Sequence, residues 1–293
     1  MRKRILPYVY SDSLRFRGET GSISPSPLKA GLVTEEAFRQ GISGKFLLEV
    51  PGEPASIDQL AMAHSTKYVE SVLELQEPNG FGNTDYYLTR HAQYSVAAMV
   101  RACQLAVGYR TIACAPVSGF HHAHYSNGGG FCTFNGLVVA ARLSGAGKVG
   151  IIDCDYHYGD GTEAIIKRLG LQDRILHWSA GFHFKEPKQA NSLLLQLPKV
   201  IREMVQKGVE LIIYQAGADQ HVDDPLGGLL TTTEMDLRDR LVFNWAYNIS
   251  GVPVAFNFAG GYQEPIEEVV TLHINTLKAA VHALNDTTLV EAL

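Results

Sequence analysis

A chain of 293 residues with 46% hydrophobic and 19% charged residues has the composition of a globular protein, and it is long enough for one large α/β core. Its 25 Lys and Arg against 30 Asp and Glu leave a net charge of −5 with a pI near 6.1, which argues against a nucleic-acid-binding face or a basic membrane-surface role. No stretch approaches the ~20 apolar residues of a membrane helix, and the run Ile5–Tyr10 behind Met1-Arg2-Lys3-Arg4 is short and broken by Pro7, so no signal-peptide core is expected.

The four cysteines (Cys103, Cys114, Cys132, Cys154) form no C-x-x-C pair. They read as small buried apolar residues in a reducing cytoplasm. In chain order, a strand is expected at Ile5–Tyr10, then a Gly-, Ser- and Pro-rich loop from Arg17 to Gly31. The rest of the first hundred residues reads as mostly helical, with helices at Ile57–His64, Thr66–Gln76 and Tyr86–Val107. From Thr111 onward strands alternate with helices. Strands are expected at Thr111–Ala115, Val149–Asp153, Ile175–Ser179, Leu211–Gln215 and Val252–Phe258. Helices are expected at Cys132–Leu143, Gly161–Leu169, Ser192–Lys207, Thr233–Ile249 and Glu264–Ala283. Such alternation predicts βαβ units on a mostly parallel sheet flanked by helices, within a single domain spanning 1–293.

The polar clusters follow directly after strands. Asp153-Cys154-Asp155-Tyr156-His157 leaves the third expected strand, Gly217-Ala218-Asp219 the fifth, and Gly260-Gly261-Tyr262 the sixth. In a parallel sheet all of these share the carboxyl edge, where open α/β folds bind ligands. Asp155 and His157, two apart, can project the same way. With Asp219 they supply two carboxylates and an imidazole, a three-ligand set that leaves a catalytic metal one open position. The tandem His121-His122 offers a general base near neutral pH, and Asp153 and Asp160 are carboxylates free to orient the two imidazoles. Tyr262, on a flexible Gly-Gly turn, can donate a hydrogen bond to a developing oxyanion.

Gly119-Phe120-His121-His122-Ala123, Gly129-Gly130-Phe131-Cys132, Asp153-x-Asp155-x-His157-Tyr158-Gly159-Asp160-Gly161, Gly217-Ala218-Asp219, Asp224-Pro225-Leu226-Gly227 and Gly260-Gly261-Tyr262 together resemble the histone deacetylase and acetylpolyamine amidohydrolase family. The resemblance runs from about Pro116 to Gln263 and is closest to small class IV-like members. It implies the three-layer arginase/deacetylase fold and an amidohydrolase that deacylates acyl-lysine. It implies Zn2+, or Fe2+ in the cell, held by Asp155, His157 and Asp219. His122 oriented by Asp160 would be the general base and acid, His121 paired with Asp153 would act electrostatically, and Tyr262 would polarise the carbonyl. A monovalent cation, K+ or Na+, would sit near Asp153, Asp155, His157 and Ser179. Gly130, Phe131 and Leu226 would line the substrate tunnel.

Tyr158 departs from the family pattern, standing where many relatives carry a second histidine, and no rim carboxylate is placed, although Asp85 is nearby in sequence. Rival readings are a two-manganese ureohydrolase, which needs more bridging carboxylates, and a silent acyl-ligand binder. Among deacylases the substrate is left open between acetyl-lysine, longer acyl-lysines and acetylated polyamines. No nucleic-acid or membrane partner is expected, and the oligomeric state is left open.

Overall fold

A computed structural model of the chain describes residues 5–286; Met1–Arg4 lie outside them. Seven strands form one sheet: β1 Leu6–Val9, β2 Phe46–Glu49, β3 Ile112–Ala115, β4 Val149–Asp153, β5 Ile175–Ser179, β6 Leu211–Gly217 and β7 Val254–Ala259. Their spatial order is β2-β1-β3-β7-β6-β4-β5, and every pairing is parallel. The helices are α1 Lys29–Arg39, α2 Ile57–Leu60, α3 Thr66–Leu73, α4 Tyr86–Tyr109, α5 Gly136–Leu143, α6 Asp160–Arg168, α7 Ala180–His183, α8 Ala190–Gln206, α9 Thr232–Phe243 and α10 Ile266–Asn285. This is the α/β arrangement of the arginase/deacetylase fold that the resemblance implies.

The period of two along the strands sorts the core into two layers. Ile152, Ile212, Tyr214, Val254, Phe256 and Phe258 pack with residues of α1, α8, α9 and α10 on one face. Ile151, Ile213, Ala113, Ala115 and Ala255 pack with α3, α4, α5 and α6 on the other. The alanines of β3 and β7 meet Ala98, Ala102 and Ala106 of α4, so small faces the small, and the 24-residue α4 lies close over the middle of the sheet.

The register runs straight across the carboxyl edge. Ala115 pairs with Asn257, Asn257 with Gln215, Gln215 with Asp153, and Asp153 with Ser179. Every candidate residue therefore departs from one line.

Several expected boundaries move, each for a local reason. The expected helix Cys132–Leu143 begins at Gly136, because Cys132 is bridged to Gly129 and the Asn135 side chain caps α5 by accepting from Val138 N at 3.2 Å. Thr233–Ile249 divides into α9 and a wider turn of helix over Asn244–Ile249. Helix α1 follows a short 3-10 turn at Ser26–Leu28, so the loop expected through Gly31 ends earlier. The edge strand β2 was not expected; Leu47 and Leu48 are exposed, so it lacks the apolar alternation of a half-buried strand. The four cysteines are buried and free. No helix among the described residues is long and apolar enough to cross a membrane.

The amino-terminal third clamps the loop from His121 to Asn135. His64, buried after α2, takes the Asn135 backbone N–H on Nε2 at 2.8 Å and faces the His124 carbonyl with Nδ1 at 2.8 Å, which sets its proton on Nδ1. Ser65 N donates to Tyr125 O at 2.8 Å, and the Tyr68 hydroxyl donates to Thr133 O at 2.7 Å. Burial lowers the His64 imidazole to about 4. Protonation would cost it the Asn135 contact. Unfolded, His64 titrates near its ordinary value and binds the proton first, so the fold loses stability as pH falls from there towards 4. In His64→Gln, the stability difference from wild type should shrink by about 3 kcal/mol between pH 7 and pH 4, measured by urea unfolding. A difference independent of pH would show that His64 is not buried neutral.

Candidate active site

Strand β4 ends in Asp153, and the chain then turns through Asp155 and His157 into α6. Asp153 is fully buried. Its Oδ2 meets His121 Nδ1 at 2.8 Å, and its Oδ1 accepts from Gln215 Nε2 at 2.9 Å and from the Asp155 backbone N–H at 3.1 Å. His177 reaches towards it at 3.9 Å from β5 while bonding Glu163 at 3.0 Å. With His121 and His177 as partners, Asp153 is held down to about 2 despite the burial that opposes its charge.

Asp155, His157 and Asp219 bring one ligand atom each within 4.8 Å of one another. His157 Nδ1 lies 3.0 Å from Asp219 Oδ2 and 3.2 Å from Asp155 Oδ1. Backbone fixes both carboxylates: His157 N donates to Asp155 Oδ1 at 2.9 Å and Tyr156 N to Asp219 Oδ1 at 3.1 Å. Asp155 is 3% and Asp219 0% exposed, so two carboxylates face each other with almost no water. Burial and the charge of Asp155 raise Asp219 to about 8, and hydrogen bonds to the two carboxylates raise His157 to about 10. Two hard oxygens and an imidazole are a donor set that divalent zinc or iron accepts, so the residues fit a metal.

Glycines make the close approach possible. A Cβ on Gly260, whose φ is +50°, would fall 2.4 Å from the Asp219 carboxylate, and one on Gly227 would fall 1.7 Å from the Asp219 carbonyl oxygen. The Gly260-Gly261-Tyr262 turn is also held from outside. The buried Lys29 of α1 donates to the carbonyls of Gly260 and Phe258, and Tyr262 N donates to Asp224 Oδ2 at 2.7 Å. Asp224 Oδ1 also accepts from Leu226 N at 3.0 Å, so Asp224 closes the turn. Among the described residues, Asp155, His157 and Asp219 are the one group of three such side chains with ligand atoms this close together.

His122 lies beside His121, ring centroids 4.1 Å apart, and its Nδ1 meets Asp160 Oδ1 at 2.7 Å. The two imidazoles differ in environment. Burial alone would lower His121, but Asp153 and Asp155 outweigh it and raise the ring to about 9. Burial and the neighbouring His121 charge lower His122, with Asp160 opposing. The first favours the charged form and the second the neutral form. Burial, then the charges of Asp155 and Asp219, raise Tyr262 and keep its phenol protonated.

Gly130 and Phe131 both take left-handed backbone, and a Cβ on Gly130 would strike the His122 ring at 2.5 Å. The Phe131 ring lies 5.8 Å from the Tyr262 ring. Leu226 and Tyr262 line a cavity of about 560 Å³ with Ile23, Pro225 and the carboxyl-bearing Asp223, Glu264 and Glu268. Ser179 sits opposite Asp153 in register, and its Oγ accepts from Gly159 N at 3.2 Å. All the candidate residues named from the sequence thus converge. Asp85 instead caps α4, accepting from Leu88 N at 2.7 Å. Sequence reading missed Gln215, His177 and Lys29 as supports, and it placed Asp224 only within the motif Asp224-Pro225-Leu226-Gly227. It also missed Phe182, 64% exposed after β5, whose ring lies 5.0 Å from Tyr158. The one signal for Gln215 is a polar residue closing an apolar strand.

Comparison with known proteins agrees. The family model described as the histone deacetylase domain matches residues 26–189, which include both histidines and Asp155 and His157 but stop before Asp219 and Tyr262. The chain is 32% identical over 269 residues to an uncharacterized protein of Picosynechococcus sp., covering 84% of this chain and 85% of that one. It is 28% identical over 205 residues to acetylpolyamine amidohydrolase 2 of Pseudomonas aeruginosa, covering 60% of this chain and 57% of the relative. It is 27% identical over 245 residues to a probable deacetylase of Methanothermobacter thermautotrophicus, covering 71% and 72%. A sheet edge that gathers two His–Asp pairs, an Asp-His-Asp cluster and a Gly-Gly-Tyr turn, together with a domain match over more than half of its length, places this chain in the histone deacetylase family of amide hydrolases.

Proposed function

We propose that the protein is a Zn2+-dependent deacylase that hydrolyses the amide of an acylated lysine, with Fe2+ able to take the same place in the cell. The observation that carries this reading is the cluster of Asp155, His157 and Asp219, two buried carboxylates and a part-buried imidazole with ligand atoms within 4.8 Å of one another, beside the His122–Asp160 pair and the Tyr262 phenol. The bound ion would supply Lewis acidity to the water and the carbonyl. His122, oriented by Asp160, takes the proton of the attacking water. Tyr262 donates to the oxygen on which negative charge develops. His121, charged against Asp153, stabilises that charge, and protonated His122 returns a proton to the departing amine. Phe131 and Leu226 flank the acyl-lysine stem, with Gly130 leaving room against His122. A K+ or Na+ beside Asp153, Asp155, His157 and Ser179 would brace the turn after β4. The whole described chain acts as one catalytic domain, in the cytoplasm.

A second reading, an acetylated polyamine or another cationic amine as substrate, is favoured by Asp223, Glu264 and Glu268 around the cavity at Tyr262. The Pseudomonas relative named as an acetylpolyamine amidohydrolase fits it.

The test is release of carboxylate from acetyl- to myristoyl-lysine peptides and acetylpolyamines. Stripping the metal with a chelator should abolish turnover, and Zn2+ should restore it. No release from any substrate by protein holding one zinc per chain would sink the reading. Tyr262→Phe should lower kcat roughly 10²- to 10³-fold, as loss of an oxyanion donor does, with little change in KM; a loss confined to KM would remove Tyr262 from the chemistry. Asp160 raises His122, and the base must be unprotonated, so Asp160→Asn should move the acid limb of the kcat/KM profile to lower pH while reducing its plateau. An unmoved limb would assign the base elsewhere.

A further inference from the structure

Helix α9 carries a guanidinium into the core. Arg238 is 0% exposed and lies on the sheet face away from α4. Its charge is met by Asp239, with Nε to Oδ1 at 2.9 Å and Nη2 to Oδ1 at 2.8 Å. Asp239 is itself saturated, accepting from the Tyr214 hydroxyl and, on Oδ2, from Thr276 Oγ1 at 2.6 Å. The other arm of the fork is aimed at backbone. Nη1 donates to Gly217 O at 2.7 Å, to Gln220 Oε1 at 3.1 Å and towards Cys154 O at 3.4 Å.

Those acceptors bracket the candidate metal ligands. Cys154 immediately precedes Asp155, while Gly217 and Gln220 stand on either side of Asp219. The β4–β6 register ends at Asp153 and Gln215, and Cys154 N donating to Gln215 O at 3.0 Å is the last backbone bond across the two strands. Past that point, where both ligands leave the sheet, the guanidinium spans the gap. Stability alone does not call for such a pair, because a well-packed apolar pair in its place is often as stable. An apolar side chain cannot donate to oxygens at the ends of two strands, and the point charge of a lysine lacks the fixed fork that reaches them together with Asp239.

We infer that Arg238 is a positioning residue that sets the separation of the Asp155 and Asp219 carboxylates and so tunes the metal centre. This rests on the metal-centre reading above. The test uses the full chain, stripped of metal, as wild type, Arg238→Lys, the double variant Arg238→Met with Asp239→Asn, and the exposed control Arg240→Ala. The double variant removes both charges together and so avoids stranding a carboxylate if Arg238→Lys does not fold.

Zinc affinity is read by competition with a chromophoric chelator, and backbone amide exchange is read in the metal-free protein. Both Arg238 variants should bind zinc roughly 10- to 100-fold more weakly, the usual effect of removing a group that orients metal ligands. Exchange should quicken at 154–157 and 217–220 while β7 stays protected, and Arg240→Ala should match wild type. Zinc affinity within twofold of wild type in the folded variants overturns the inference, as does unchanged exchange at those two segments. Wild-type protein that binds no zinc would instead overturn the metal reading, and exchange in the metal-free chain would still decide the role of Arg238.

Discussion

Gathering Asp153, Asp155 and Asp219 at one sheet edge with almost no access to water is the constraint on which the rest of the structure depends. Carboxylates removed from solvent are expensive unless each lone pair meets a donor or a cation. Around Asp153 the donors are complete: an imidazole, an amide side chain and a backbone N–H. Asp155 and Asp219 instead share a single imidazole, His157 Nδ1, at 3.2 and 3.0 Å. The fold thus distinguishes a carboxylate used to orient a histidine from two carboxylates held ready for a cation. Three acids only two residues or one strand apart acquire separate roles from their surroundings.

Much of the chain exists to hold those few atoms. Positive groups approach the cluster from behind, Lys29 from α1 and Arg238 from α9; Lys29 donates to backbone carbonyls, and Arg238 divides its fork between the Asp239 carboxylate and the acceptors around Asp155 and Asp219. On the other side, His64, Ser65 and Tyr68 fasten the loop that carries the tandem histidines. Gly227 packs on the Asp219 backbone and Gly260 on its carboxylate, each so closely that a Cβ would collide. Rigidity here is built from main-chain contacts, and main chain tolerates no extra atom at those glycines.

The parallel sheet was legible because its strands are fully buried and so read as unbroken apolar runs between helical segments. The site was legible because strand ends in such a sheet share an edge, which brings Asp155 to Asp219 and His121 to Asp153 across long separations. Less visible was everything whose signal is not periodic. The strand β2 sits at an edge, with two exposed leucines in place of alternation. The start of α5 depends on a bridge between Gly129 and Cys132 that no local pattern announces. The supports Lys29 and Gln215 are polar residues in largely apolar stretches, and His64 and Arg238 sit among other polar residues with nothing local to single them out, so only the folded neighbours explain them. The wall of the cavity at Tyr262 is drawn from separate segments, around Ile23, 223–226 and 264–268, so no single stretch of sequence announces it.

The strand order has a consequence for how the protein comes into being. The strands β2, β1 and β3 lie on one side of β7, and β6, β4 and β5 on the other, yet β7 is the last strand to be made. Until β7 is made, the half-sheet that leads to the tandem histidines and the half-sheet that leads to Asp155 and Asp219 have no strand joining them. Emergence of β7 zips the two half-sheets together and delivers Tyr262 in the same event. The tandem histidines, the Asp-His-Asp cluster and the Gly-Gly-Tyr turn therefore share one framework only once the last of the seven strands is in place.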